Sequence, residues 1–183
     1  MSAILRKLAP FDADALQQTT DGWKAQLSAV ADDLIPTSYL RLLEWMSQNA
    51  DYGEDRGVFA YGIFEDGSKC ASAIVEIIYS KAGRKWLKLM DVTLEPKLDV
   101  AFSSDSPDID AVADVFSAAI AGVVKLTKRH PTKVTKLYGR SGGLLSFFKG
   151  FAAFIQDKGT LKHHADVSIE GRWLVIRAKK EPK

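Results

Sequence analysis

The sequence predicts an α/β fold in a single domain spanning residues 1–183, with a mixed, mainly antiparallel central sheet flanked by helices. Three observations carry this. Two β-rich runs, Val58–Glu65 and Cys70–Ser80, flank Asp66-Gly67, a dipeptide suited to a tight hairpin turn. A third run, Lys85–Glu95, returns after the short turn Lys81–Arg84 and completes an antiparallel meander. Beyond it, a long helix with one apolar stripe and a further strand–helix pair precede a last hairpin, the alternation of an α/β domain.

Each element has its own local signal. The apolar run Ile4–Leu8, ended by Pro10, predicts a first strand. From Asp12 the period becomes helical, with Leu16, Trp23, Leu27, Val30, Ala31 and Leu34 on one side. Pro36 interrupts this helix, and Thr37 or Ser38 can cap a second one carrying Tyr39, Leu42, Leu43 and Met46. Asn49–Gly57 is a turn-rich acidic loop that leads into the meander. Pro96 closes the third meander strand, and a polar loop is expected from Lys97 to Asp108. The long helix is expected from Ser106, with Pro107 in its first position and Asp108 and Asp110 in its first turn. Its stripe is Ile109, Val112, Ala113, Phe116, Ile120, Val123 and Leu126, and Pro131 marks its end. A strand, Lys133–Tyr138, then the turn Gly139–Gly143 and an apolar helix, Leu144–Gln156, stopped by Gly159, come next. The chain closes with a hairpin, His164–Glu170 and Arg172–Ala178, turning at Gly171.

Composition narrows the function. The chain is long enough for a substantial core, and 46% hydrophobic with 26% charged residues is ordinary for a soluble protein. A net charge of +2 predicts neither nucleic acid nor a membrane surface as partner. The single cysteine, Cys70, excludes an internal disulfide and a Cys-based zinc site, and favours a reducing compartment. The N-terminus turns acidic too soon for a signal peptide, and the longest apolar stretch, Val115–Val124, is half a membrane span, so a cytoplasmic protein is expected. Charge is uneven along the chain. Five aspartates fall between Asp99 and Asp114, whereas Val115–Gln156 holds no acid but seven Lys and Arg. Matching of the long helix's macrodipole accounts for this, and an anion-binding face is the alternative.

The order strand, two helices, three-strand meander, helix, strand, helix, closing strands resembles the GNAT-type N-acetyltransferase superfamily over nearly the whole chain. Val92-Thr93-Leu94-Glu95-Pro96 is similar to the L/V-x-V-x-P ending of that family's fourth strand. The resemblance implies that this strand splays from the next one, here Lys133–Tyr138, with the pantetheine arm of acetyl-CoA between them and backbone contacts at Val92 and Leu94. Two family elements are not matched. The R/Q-x-x-G-x-G/A loop that should follow Pro96 is replaced by a segment without glycine or arginine, bearing Asp99, Asp105, Asp108 and Asp110. Carboxylates there would repel a diphosphate by a few kcal/mol each at about 4 Å. The tyrosine expected in the last helix is replaced by Phe147, Phe148, Phe151 and Phe154, which leaves Tyr138 as the nearest phenol. The sequence therefore predicts no bound cofactor, with acetyl-CoA as the ligand if the protein is active. The corresponding roles are a GNAT-like binding or assembly component, bacterial or phage, or a diverged N-acetyltransferase acting on an amine or protein lysine.

Candidate site residues follow from chemistry and placement. Gly139-Arg140-Ser141-Gly142-Gly143 follows a strand and opens a helix, so it can receive an anion or serve as a glycine-assisted turn with Ser141 as N-cap. Glu76 and Asp91 lie on adjacent predicted strands and can share a sheet face, where paired acids raise one pKa, or form part of a solvent-facing polar row. The resemblance makes Asp91 the better general base. His163 and His164 point to opposite faces of a strand and cannot share a metal, so no metal site is expected, and His130 fits a helix C-terminus. Tyr52, Phe59, Tyr61, Phe64, Tyr79 and Trp86 line an acceptor cleft or pack the core. The phenylalanines of the helix Phe147–Phe154 exceed one stripe, which favours a protein partner or self-association, hence an oligomer. The bases from Lys125 to Lys149 lack an interleaved aromatic platform, which argues against nucleic acid.

Overall fold

Asp12 sets where the first helix begins. Its carboxylate accepts the Ala15 N–H at 2.8 Å and its carbonyl accepts the Leu16 N–H at 2.9 Å, the two bonds of an N-cap. The computed structural model describes residues 5–30, 37–50, 57–80, 85–102, 109–130, 132–140, 142–158 and 165–179. Its elements are β1 (Arg6–Pro10), α1 (Ala13–Val30), α2 (Thr37–Asn49), β2 (Val58–Glu65), β3 (Ala71–Ser80) and β4 (Trp86–Leu94). They continue with α3 (Pro96–Phe102), α4 (Ile109–Leu126), β5 (Val134–Tyr138), α5 (Gly142–Lys158), β6 (Ala165–Glu170) and β7 (Trp173–Ala178). Several expectations, namely the break at Pro36, the loop residues 51–56 with Tyr52, the turn 81–84, the helix start at Ser106, Ser141, Gly159, His163 and His164, lie outside the described residues.

The strands form a seven-stranded sheet in the order β1-β2-β3-β4-β5-β7-β6. The pairs β1–β2, β5–β7 and β6–β7 are antiparallel, and β4–β5 is parallel. A parallel neighbour needs a crossover, and α3 with α4 supplies it. The architecture is α/β, with a sheet that is mixed and mainly antiparallel. Gly67 and Gly171 take φ of +78° and +61° in their turns, a backbone region that glycine enters without strain.

Two compact units divide the chain. The first is Met1–Glu76 with Val92–Gly122, and the second is Ile77–Asp91 with Val123–Lys183, so β3 and β4 contribute residues to both. In the first unit, Trp23, Leu43, Met46, Phe64 and Ile74 join one core. The Trp23 indole donates to the Ala71 carbonyl at 2.8 Å, which fixes α1 on β3. In the second unit, α5 packs on β6 and β7, and Leu144, Phe148 and Ala152 form its buried stripe.

Three local expectations change. Pro96 does not merely end β4: it opens the short helix α3 across the first part of the predicted loop. Proline suits the first helical position, and α1 supplies what the rest of that turn needs, as described below. Ile109 is 61% exposed, while Val112, Val115, Ala119, Ile120 and Val123 are buried, so the stripe of α4 is rotated from the expected one. Phe59, Tyr61, Phe64 and Tyr79 are all buried, and the aromatic set is core rather than cleft lining at those positions.

Candidate functional site

β4 pairs with β5 from Trp86↔Val134 to Leu89↔Leu137, then continues five residues to Leu94. Its burial pattern also changes there. Leu87 and Leu89 are buried with Trp86 and Lys88 half-buried, but beyond Met90 and Asp91 the buried residues are Val92 and Leu94. The alternation slips by one residue at Met90–Asp91, as an extra residue in a strand makes it do. Asp91 is thereby presented beside the end of β5.

Arg140, which follows β5, reaches it. Its guanidinium donates to Asp91 Oδ2 at 2.8 Å, with the two side chains 62% and 21% exposed. The first candidate base and the first candidate anion ligand are thus brought together as an ion pair. Gly139 is held by its N–H on the Arg172 carbonyl at 2.8 Å. A Cβ at Gly139 would lie 3.1 Å from the Leu145 Cα and 3.3 Å from the Arg172 carbonyl, so the turn is tight because α5 leaves the strand at once. Gly142 and Gly143 begin α5 and are exposed. Tyr138 packs on Trp173 at 4.8 Å between centroids with the rings tilted by 47°, and the Arg172 guanidinium stands 5.9 Å from the Tyr138 ring. Glu76 lies half-buried on β3.

In the first unit, the junction of β4 with α3 holds residues that sequence reasoning missed. Glu95 is only 4% exposed. The Gln26 amide of α1 donates to its Oε2 at 2.8 Å, while the same amide's oxygen accepts the Lys97 N–H at 3.1 Å. The Lys97 ammonium lies 3.4 Å from Glu95 Oε1. The next two amides, Leu98 and Asp99, return to the Glu95 carbonyl at 3.0 Å each. All three leading N–H groups of α3 are therefore engaged inside the protein, with a carboxylate beside them. Tyr39 of α2 completes the junction, donating to Asp99 Oδ2 at 2.9 Å and approaching the Leu94 carbonyl at 3.4 Å. Burial first, then the hydrogen bond to Asp99 and that carboxylate's charge, hold the phenol well above its ordinary value. Burial, with the Glu95 charge second, likewise raises the Cys70 thiol. No local motif announces Gln26 or Tyr39, because their partners lie 69 to 71 and 55 to 60 residues away.

Among the described residues, no group of three or more His, Cys, Asp or Glu could hold a metal ion. None of their helices is long and apolar enough to cross a membrane.

No protein-family model matches the sequence, and no curated protein matches it. The solved structures similar to it include GNAT-family acetyltransferases. One is a GNAT family acetyltransferase from Brucella melitensis in complex with acetyl-CoA: 10% identical, covering 99% of this chain and 93% of that one, TM-score 0.45. Another is an acetyltransferase from Streptococcus agalactiae, 8% identical, covering 95% and 98%, TM-score 0.42. A third is the Campylobacter jejuni N-acetyltransferase PseH in complex with acetyl coenzyme A, 12% identical, covering 97% and 100%, TM-score 0.42.

Proposed function

We propose that the chain is a GNAT-fold protein with a degenerate acyl-CoA site that acts as a binding or assembly component. The observation that carries this reading is the closed start of α3. A diphosphate needs free backbone N–H groups and a positive field. Here the Lys97 N–H is bonded to Gln26, the Leu98 and Asp99 N–H groups are bonded to Glu95, and the Glu95 and Asp99 carboxylates stand alongside. Each carboxylate opposes a phosphate by a few kcal/mol at about 4 Å near a surface. The residues present do not fit CoA at this junction. Contact with a protein partner or a second copy is assigned to α5, whose Phe154 is 57% exposed, and a cytoplasmic setting suits the lone cysteine.

A second reading is a diverged acetyl-CoA-dependent N-acetyltransferase acting on an amine or protein lysine. The extension of β4 beyond its last pair with β5 favours it. The turn Gly139–Gly143 would then contact the cofactor, with Asp91 and Tyr138 of the same unit as acid–base groups. Calorimetric titration with acetyl-CoA, followed by melting temperature, separates the two. No heat and no thermal shift at millimolar ligand is the expected result. Micromolar binding that weakens in Arg140→Ala would overturn the first reading, since a ligand at 100 times its Kd adds about 2.7 kcal/mol of stability.

A further inference from the structure

The sheet of the second unit has one closed face and one that is partly open. Leu87, Leu89, Leu137 and Leu174 share the buried face. The opposite face follows from the register: Trp86 and Lys88 lie across from Val134 and Lys136, and Lys136 and Tyr138 lie across from Val175 and Trp173. Three aromatic rings from three strands are thereby interleaved with two lysines, and all five residues are half-buried over a fully buried Val175. The Lys88 ammonium stands 3.9 Å from the Trp86 ring and 5.2 Å from the Trp173 ring, and Arg172 flanks Tyr138. Among the described residues, no carboxylate pairs with Lys88, Lys136 or Arg172.

The charge of the unit agrees with that of the face. The second unit carries 18 Lys and Arg against 5 Asp and Glu, a formal +13, while the first carries 7 against 18, a formal −11. A whole-chain charge of +2 conceals this separation. Along the chain the basic run Lys125–Lys149 holds Tyr138, Phe147 and Phe148 but no aromatic platform interleaved with its bases. The pairing of β4, β5 and β7 brings the rings to the cations.

We propose that this face, centred on Trp86, Tyr138 and Trp173, binds single-stranded nucleic acid, with bases stacked on the rings and phosphates along Lys88, Lys136 and Arg172. Stacking separates this ligand from other polyanions. A duplex hides its base faces, and an acidic peptide has none. The site lies within the second unit, and the proposal stands whichever reading of the β4–α3 junction is correct.

The test titrates the full chain into fluorescently labelled oligouridylate and oligothymidylate at low ionic strength, reading polarisation and intrinsic tryptophan emission. Binding should quench tryptophan and weaken linearly on a log–log plot against salt. Tyr138→Ala should weaken it about tenfold, and Lys136→Gln should lower the salt slope by about 1. A thermal melt of each variant confirms folding, and Lys136→Gln, at a half-exposed site, keeps the test decisive if the aromatic variant unfolds. A difference between the two strands assigns RNA or DNA as the preferred ligand and supports the proposal in either direction. Absence of binding, equal binding of a duplex or of polyglutamate, self-association without strand binding, or folded variants that bind like the parent would each overturn it.

Discussion

Single residues decide how several ends in this fold are closed. Asp12 caps α1 and pairs with Lys69, and those two hydrogen bonds, Lys69's first, hold its carboxyl below the ordinary 3.8. A carboxyl whose pKa is depressed by folding stabilises the native state above its unfolded value and loses that contribution as pH falls through the folded value. Asp12→Ala should therefore lower the urea midpoint near neutral pH without changing the slope. The gap to the parent should close below pH 3.8, and a gap that persists in acid would refute the assignment. Gln26 answers two demands at once, accepting the Lys97 N–H and donating to the buried Glu95 carboxylate. In Gln26→Ala both groups lose a partner, and an unsatisfied buried polar group costs about 1–3 kcal/mol. Denaturant unfolding should show a loss of that size, and a loss within a few tenths would mean that water replaces the amide.

Elements are positioned by close approach and by a few large side chains. Gly122 lets α4 lie against β1, since a Cβ there would fall 2.2 Å from the Leu8 Cβ. Alanine favours a helix interior over glycine by about 1 kcal/mol, but a contact that short forces a shift costing about 1–3 kcal/mol. The steric term wins, so Gly122→Ala should destabilise, and the same change with Leu8→Ala, which keeps the Cβ met first, should not restore stability. α5 offers a contrast between chemically identical changes. Phe148 is fully buried and Phe154 is 57% exposed. Phe148→Ala should cost about 3–5 kcal/mol, whereas Phe154→Ala should stay within about 0.5 kcal/mol in the monomer. A concentration-dependent effect of Phe154→Ala on the melting temperature would report self-association through this helix.

For the whole molecule, the separation of charge between the two units predicts behaviour that the net value does not. A protein with a uniform charge of +2 would be retained at neutral pH by a cation exchanger only. With formal charges of +13 and −11 on its two units, this protein should bind both cation and anion exchangers at low ionic strength and leave both as salt rises. Passage through the anion exchanger without retention would show that the acidic residues are not presented together.

The sequence by itself determined most of the elements. Val58–Glu65 is recovered without change, and alternation at β4 and helical spacing in α1 and α5 place those elements to within a few residues. These signals are local, because one buried face imposes a period of 2 on a strand and 3.6 on a helix. The element order also sufficed for one mixed, mainly antiparallel sheet, whereas the parallel sense of the β4–β5 pair came from the structure. Tertiary structure decided what the local pattern leaves open. Lys97–Asp108 looked like a polar loop because the partner that supports α3, Gln26, is on α1. Ile109 fits the period of α4, but which face is buried depends on where the sheet lies. Asp91 and Arg140 were each legible as chemistry, and only the fold joins them across 49 residues. The aromatic and basic face of β4, β5 and β7 belongs to the same class, because strand pairing places side chains together that no spacing along the chain connects. Local periodicity follows from burial of one face, whereas a site requires that distant residues share that face, and contacts at long sequence separation alone decide it.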